Sequence, residues 1–139
     1  TESVVMSAGS AAHEDLRTLR DAGLNLALDD FGIGFSSFGY LQELPFNKLK
    51  IDRRFVSEVE KDEGSAAILR TIAALADNLE MKSTAEGVET AQQLGVVRAC
   101  GCHYGQGYFI GQPIPLEAVQ QAYFEVPKIA KAALRAGRV

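Results

Sequence analysis

Residues 24–37 read Leu-Asn-Leu-Ala-Leu-Asp-Asp-Phe-Gly-Ile-Gly-Phe-Ser-Ser, and this stretch decides the fold. Alternate leucines predict a strand that ends in two adjacent acids. Neighbouring residues of a regular strand point to opposite faces. Asp29 and Asp30 can therefore serve one site only if the chain bends at once, and Gly32 and Gly34 permit such a bend.

The paired acids suggest a metal site. Two carboxylates at one strand end repel each other, and a divalent cation that prefers hard oxygen ligands would remove that repulsion. One ion, or two ions that share a bridging carboxylate, would suit an aspartate pair. A solvated turn is the alternative, because Asp, Gly and Ser are common turn residues.

Three more short strand-like segments follow, and each places polar groups near its end. They cover residues 47–52, 82–89 and 103–109. Ser10 as N-cap and Gly23 as stop predict a helix over 10–22, and amphipathic spacing predicts one over 64–79. Shorter helix candidates are 90–99 and 115–124. The alternation of strand and helix predicts an α/β fold with a parallel sheet, in which polar strand ends gather at one edge.

Five segments, taken in order, carry a family resemblance. They are Thr1-Glu2-Ser3, LALDDFGIGFSSFGYL (26–41), KLKIDRRFV (48–56), STAEGVET (83–90) and GCHYGQGYFIGQPIP (101–115). This series resembles the EAL domain family of cyclic di-GMP phosphodiesterases. The resemblance covers residues 1–124.

The resemblance implies a modified TIM-type (βα)8 barrel that hydrolyses cyclic di-GMP to linear pGpG. It also implies Mg²⁺ or Mn²⁺ as cofactor, with two ions in the intact domain. Residues 1–124 match the C-terminal half of that barrel, from the end of strand 4 to strand 8. Residues 125–139 form a basic tail that we expect to be helical or disordered.

The resemblance also assigns roles to individual residues. By this resemblance, Asp29 and Asp30 are candidate metal ligands, and Asp29 is the better candidate to bridge two ions. Lys50 resembles a lysine that contacts the attacking water or the phosphate. Glu86 resembles an acid that binds a metal or its water and acts as general base, and Gln106 resembles a residue that orients this water.

Two further glutamates resemble residues that stabilise the loop after the paired aspartates. They are Glu2 and Glu89, and the loop is residues 31–37. Ordering a glycine-rich loop costs conformational entropy, so carboxylates that accept its hydrogen bonds would help to position the metal ligands. The loop keeps Gly32, Gly34, Ser36 and Ser37.

The chain departs from the family pattern at several positions. Ile33 and Phe35 replace hydroxyl-bearing residues, His103 replaces a residue that is often acidic, and Gly111-Gln112 replaces Ser-Arg. We expect these changes to affect loop dynamics or guanine contacts. The EAL signature, its arginine, an asparagine on the next strand and a glutamate before Thr1 are not in this sequence.

The length of 139 residues suits one domain but not a whole barrel of about 250 residues. An open half-barrel would expose strand edges and apolar surface. We therefore expect either that the chain belongs to a longer protein, or that it pairs with a copy of itself or with a complementary half. The expected partners are cyclic di-GMP, the N-terminal half of the barrel and, for the intact domain, a second copy in a homodimer.

Composition narrows the remaining possibilities. A net charge of −4 argues against a DNA or RNA polymer as partner. Cys100 and Cys102 are too close together for easy disulfide geometry, which suggests reduced thiols and a cytoplasmic protein. Preceding domains could still anchor the parent protein to a membrane.

Two function classes follow from the sequence. The first is a metal-dependent phosphodiesterase whose C-terminal half is this chain, with the chain alone inactive. The second is a binding module that senses cyclic di-GMP or contacts another protein without turnover. Retention of the acids, Lys50 and Gln106 favours catalysis in the parent protein.

Overall fold

A parallel sheet of four strands forms the centre of the computed structural model, which describes residues 9–32 and 38–119. The strands are β1 (Ala27–Phe31), β2 (Lys48–Ile51), β3 (Lys82–Glu86) and β4 (Tyr104–Gln106). They lie in chain order, and each pairs in parallel with the next.

Helices connect the strands. Helix α1 (Gly9–Asp21) precedes β1, and α2 (Phe38–Glu43) lies between β1 and β2. Helices α3 (Arg53–Ser57) and α4 (Glu63–Asn78) lead from β2 to β3, and α5 (Ala91–Ala99) leads from β3 to β4. Parallel neighbours joined through helices are the repeating units of an α/β barrel, so the predicted fold class is confirmed.

The helix ends follow from local sequence. Asp62 caps α4 by accepting hydrogen bonds from the backbone N–H groups of Gly64 and Ser65, at 3.1 and 2.7 Å. Gly23, with φ of +86°, follows the end of α1, where glycine adopts the left-handed conformation without strain. The helices predicted over 10–22, 64–79 and 90–99 match α1, α4 and α5 to within one residue at each end.

The core lies between one face of the sheet and the helices. Side chains from alternate strand positions pack against the inner face of α4, and the main members of this core are Leu28, Leu49, Ile51, Ala85, Leu69, Ile72 and Ala76. Lys48, Lys50 and Tyr104 lie on the opposite face, along an open groove of about 460 Å³. In a barrel, the sheet face opposite the helices points to the interior.

The prediction for the first strand was partly wrong. The strand begins at Ala27 and continues through both aspartates to Phe31, whereas the sequence suggested a strand that started at Leu24 and ended in the two acids. Leu28 pairs with Leu49 and Phe31 with Ile51, so β1 advances by three residues where β2 advances by two. This extra residue is a β-bulge, and it allows both Leu28 and Phe31 to be buried.

Several predicted features lie outside the described residues. They are Glu2, Gly34, Ser36, Ser37, the end of the helix predicted over 115–124 and the tail 125–139. Cys100 and Cys102 are free thiols, as expected. No helix within residues 9–32 and 38–119 is long and apolar enough to cross a membrane.

The packing of α4 leads to a stability prediction. Leu69 is fully buried, whereas its neighbour Ile68 is 46% exposed. In the intact domain, we expect Leu69→Ala to lower the free energy of unfolding by about 2–5 kcal/mol, because it leaves a cavity in the core. Ile68→Ala should cost about 1 kcal/mol or less. Urea denaturation measures both, and equal losses would contradict this packing.

Candidate metal centre and active site

The carboxyl ends of the four strands bring the predicted site residues to one edge of the sheet. Phe31 pairs with Ile51, Ile51 with Ala85, and Glu86 with Gln106. Asp29 and Asp30 therefore lie near the end of β1, Lys50 near the end of β2 and Glu86 at the end of β3. Polar groups at this edge are the usual arrangement of an active site in a barrel.

The bulge in β1 turns both aspartates toward one site. Asp30 has φ of +59°, a left-handed conformation that few residues other than glycine adopt but that aspartate tolerates. The bend predicted at Gly32 is present too, with φ of +96°, but the chain already turns at Asp30 itself. As a result, one carboxylate oxygen from each of Asp29, Asp30 and Glu86 lies within 4.8 Å of the other two.

Lys50 lies between the two strands that carry these acids. Its Nζ is 2.7 Å from Asp29 Oδ1 and 2.5 Å from Glu86 Oε1. Burial acts to lower the pKa of Lys50, but hydrogen bonds to Asp29 and Glu86 and the attraction of these carboxylates outweigh it and raise the pKa above its ordinary value of 10.5. Lys50 is therefore an ammonium ion that offsets part of the negative charge.

The acids fit a divalent cation. Three partly buried carboxylates converge, and their oxygens are the hard ligands that Mg²⁺ and Mn²⁺ prefer. Mg²⁺ usually keeps several waters and binds through one or two protein carboxylates together with substrate phosphates. Asp29, Asp30 and Glu86 therefore fit part of the ligand shell of such a cation.

Gln106 is held beside Glu86 by close backbone packing. Val88 N–H donates to the Gln106 carbonyl at 3.0 Å, and Phe109 N–H donates to the Val88 carbonyl at 3.0 Å. Gly107 makes this approach possible, because a Cβ there would lie 2.2 Å from the Val88 oxygen. A cavity of about 390 Å³ opens beside Gln106 and is also lined by Asp30 and Glu86.

Asp52 lines the same cavity, although it is not among the site residues predicted from the sequence. It is 8% exposed and caps α3, and its Oδ1 accepts hydrogen bonds from both the backbone N–H and Nε of Arg54, each at 3.0 Å. The sequence does contain a signal for the capping role of Asp52, because an aspartate directly after a strand and before a helix is a typical N-cap.

Glu89 lines the same cavity, whereas His103 does not. The Glu89 side chain is exposed, and its backbone N–H donates to Gln93 Oε1 at 2.7 Å. His103 precedes β4, at the edge of the sheet opposite the acids, where its ring nitrogens lie 3.1 Å from Ser83 Oγ and 3.3 Å from Asp77 Oδ1. This departure from the family pattern is therefore remote from the acid cluster.

Comparison with known proteins places this site in a family. The sequence model of the EAL domain matches residues 1–113, and the chain therefore belongs to the EAL domain family. It is 42% identical over 106 residues to the cyclic di-GMP phosphodiesterase NbdA of Pseudomonas aeruginosa, a match that covers 76% of this chain and 14% of that protein.

Solved structures show the same fold. The c-di-GMP complex of PaMucR phosphodiesterase superposes with a TM-score of 0.77 at 41% identity, over 82% of this chain and 46% of that one. The manganese and cy-diGMP complex of Klebsiella pneumoniae BlrP1 gives a TM-score of 0.73 at 29% identity, over 78% of this chain and 28% of that one. The chain thus forms part of an EAL domain, and it spans 14% to 20% of the length of eight curated relatives that it matches.

The ion pairs of Lys50 lead to a second prediction. In the metal-free intact domain, Lys50→Met should lower the free energy of unfolding by about 1–2 kcal/mol at neutral pH, because Asp29 and Glu86 lose a charged hydrogen-bond donor. A raised pKa in the folded state means that this stabilisation is present below pH 10.5 and is lost as the pH rises through the folded-state pKa.

Lys82→Met is the matched control, since Lys82 is an exposed lysine at the start of β3. Urea denaturation across this pH range measures both variants. An equal loss in the two variants, or a loss for Lys50→Met that does not shrink at alkaline pH, would contradict the role of the ion pairs.

Proposed function

We propose that the intact domain containing this chain is a metal-dependent phosphodiesterase that hydrolyses cyclic di-GMP to linear pGpG. The observation that carries this proposal is the convergence of Asp29, Asp30 and Glu86 around Lys50 at the carboxyl edge of the sheet. Family membership supports it, because relatives named as cyclic di-GMP phosphodiesterases share this region.

The carboxylates would hold Mg²⁺ or Mn²⁺, and Asp29 would be the shared ligand if two ions bind in the intact domain. When bound, the cations supply positive charge that stabilises a phosphodiester under attack and lowers the pKa of water. Support for these metals comes from the oxygen-rich ligand set and from related structures with calcium or manganese and cyclic di-GMP.

The side chains around the acids have separate tasks in this proposal. The Lys50 ammonium provides positive charge where negative charge grows on the phosphate. Glu86 would accept a proton from the attacking water as general base. The Gln106 amide, at the neighbouring strand end, can both donate and accept a hydrogen bond and so orient that water.

The proposal extends to residues beyond the acid cluster. Glu2 and Glu89 would stabilise the loop after the aspartates, which includes Gly32, Gly34, Ser36 and Ser37.

We also propose that the intact domain is a cytoplasmic homodimer whose ligand is cyclic di-GMP, with no DNA or RNA polymer as partner. The negative net charge of this chain is in keeping with that ligand choice, since an acidic surface repels long polyanions.

Loss of the proposed bridging ligand tests the function directly. We expect Asp29→Asn in the intact domain to lower Mn²⁺-dependent hydrolysis of cyclic di-GMP by about 100-fold or more, because an amide cannot supply the negative charge. Asp21→Asn is the control, since Asp21 is an exposed acid at the end of α1. Chromatographic detection of pGpG measures both, and near-normal turnover by Asp29→Asn would refute the assignment.

The same assay separates an enzyme from a sensor. If the unaltered intact domain binds cyclic di-GMP, shown by calorimetry, but forms no pGpG at saturating Mn²⁺, the domain is a binding module. Formation of pGpG that depends on Mn²⁺ and on Asp29 supports the phosphodiesterase.

A further prediction concerns the 139-residue chain by itself. We expect no hydrolysis, because three carboxylates converge within residues 9–32 and 38–119, which leaves a cation with few protein ligands and the substrate with a wall on one side only. We also expect self-association, because an open sheet leaves edges free to pair. Size-exclusion chromatography with light scattering and an Mn²⁺ assay test both points. An active monomer would show that these residues form a complete site.

A further inference from the structure

Helix α3 contacts the ends of both strands that carry the acids. The Phe55 ring packs beside Gly32, two residues after Asp30, so closely that a Cβ at Gly32 would lie 2.5 Å from Phe55 Cε2 and 2.8 Å from Cζ. At the other end of the cluster, a Cβ at Gly87 would lie 2.5 Å from Arg53 Cβ. The helix therefore spans the distance between the aspartate pair and Glu86.

Helix α3 is held in place by a cap at its start and by a buried side chain. Asp52 caps the helix through the Arg54 backbone N–H, and its side chain also pairs with Arg54 Nε. Val56 is fully buried in the core beneath the helix. With its start capped and one side buried, α3 is a firm support for the Phe55 ring.

Gly32 is the point at which this support reaches the acids. Its φ of +96° belongs to the left-handed region that favours glycine, and the Phe55 ring occupies the space where a side chain would project. Asp30, two residues earlier, is also left-handed. A bulged backbone of this kind needs surrounding structure that holds it in place.

We propose that Phe55 is a positioning residue for the metal centre. Its ring packs against Gly32 and thereby fixes where the bulge of β1 places Asp29 and Asp30 relative to Glu86. This inference rests on the proposed function, because it takes the acid cluster to bind a divalent cation. Phe55 is not among the residues that line the cavity beside the acids, and its proposed action is through the backbone that follows β1.

Mn²⁺ affinity provides a test that does not depend on turnover. In the intact domain, we expect Phe55→Ala to weaken Mn²⁺ binding by about tenfold, the lower limit for loss of a residue that supports metal ligands. Phe55→Leu keeps much of the apolar volume and should cause a smaller loss. Binding is followed by the electron paramagnetic resonance signal of free Mn²⁺ during titration with the metal alone.

Val56→Ala is the matched control, because it removes buried volume from the same helix on the core side. It should lower the Tm and leave Mn²⁺ affinity unchanged. Phe55→Leu keeps the test valid if Phe55→Ala fails to fold. Mn²⁺ affinity that simply follows the Tm across all three variants would overturn the positioning role.

Gly32→Ala tests the contact from its other side. The new methyl group would collide with the Phe55 ring, so Gly32→Ala alone should weaken Mn²⁺ binding. In the Phe55→Ala background the collision is removed while the backbone strain of alanine at φ +96° remains, so the combined loss should be smaller than the product of the two single losses. Fully independent effects would show that the contact does not transmit to the metal centre.

Asp29→Asn distinguishes failure of this inference from failure of the proposed function. If Asp29→Asn abolishes Mn²⁺ binding while both Phe55 variants bind like the unaltered domain, the metal centre stands and the positioning role is wrong. If Asp29→Asn binds Mn²⁺ normally, the cluster is not the metal centre and the inference falls with it.

Discussion

Mutual repulsion among three carboxylates is the constraint on which the rest of this structure depends. Oxygens of Asp29, Asp30 and Glu86 lie within 4.8 Å of one another, and like charges at that distance disfavour the folded state. Lys50 offsets part of this cost through its contacts with Asp29 and Glu86. Such a cluster persists only because hydrogen bonding between parallel strands aligns their carboxyl ends at one edge.

The two faces of the sheet have different roles: one carries the apolar side chains of the core, and the other carries charged side chains. Leu49 and Ile51 are fully buried against the helices, whereas Lys48 and Lys50, which alternate with them, line the opposite face. The core can therefore hold the strands in register without burying the charges. The bulge in β1 breaks this alternation, and there alone among the described strands two adjacent residues join one acid cluster.

Most of the fold was predictable because its signals are local. Helix caps such as Asp62 and Thr90, and alternation such as that of Lys48 to Ile51, each act over a few residues. The candidate site was named largely by family resemblance. The bulge was missed because strand register depends on residues that are far apart in sequence, and Leu28 pairs with Leu49. The contact between Phe55 and Gly32 needs that same long-range register.

Three glycines, which have no side chain, are as important to this site as its charged residues. Because Gly32 has no side chain, the Phe55 ring can pack against it, and Arg53 packs against Gly87 in the same way. At Gly107 the chain lies directly against the Val88 backbone. Each glycine lies within two residues of a site residue: Asp30, Glu86 or Gln106. Backbone packed this closely has few alternative arrangements, so the ends of the strands are restrained although they lie at the surface. Restraint of this kind is what a cluster of repelling ligands requires, since an unrestrained loop would let the carboxylates move apart.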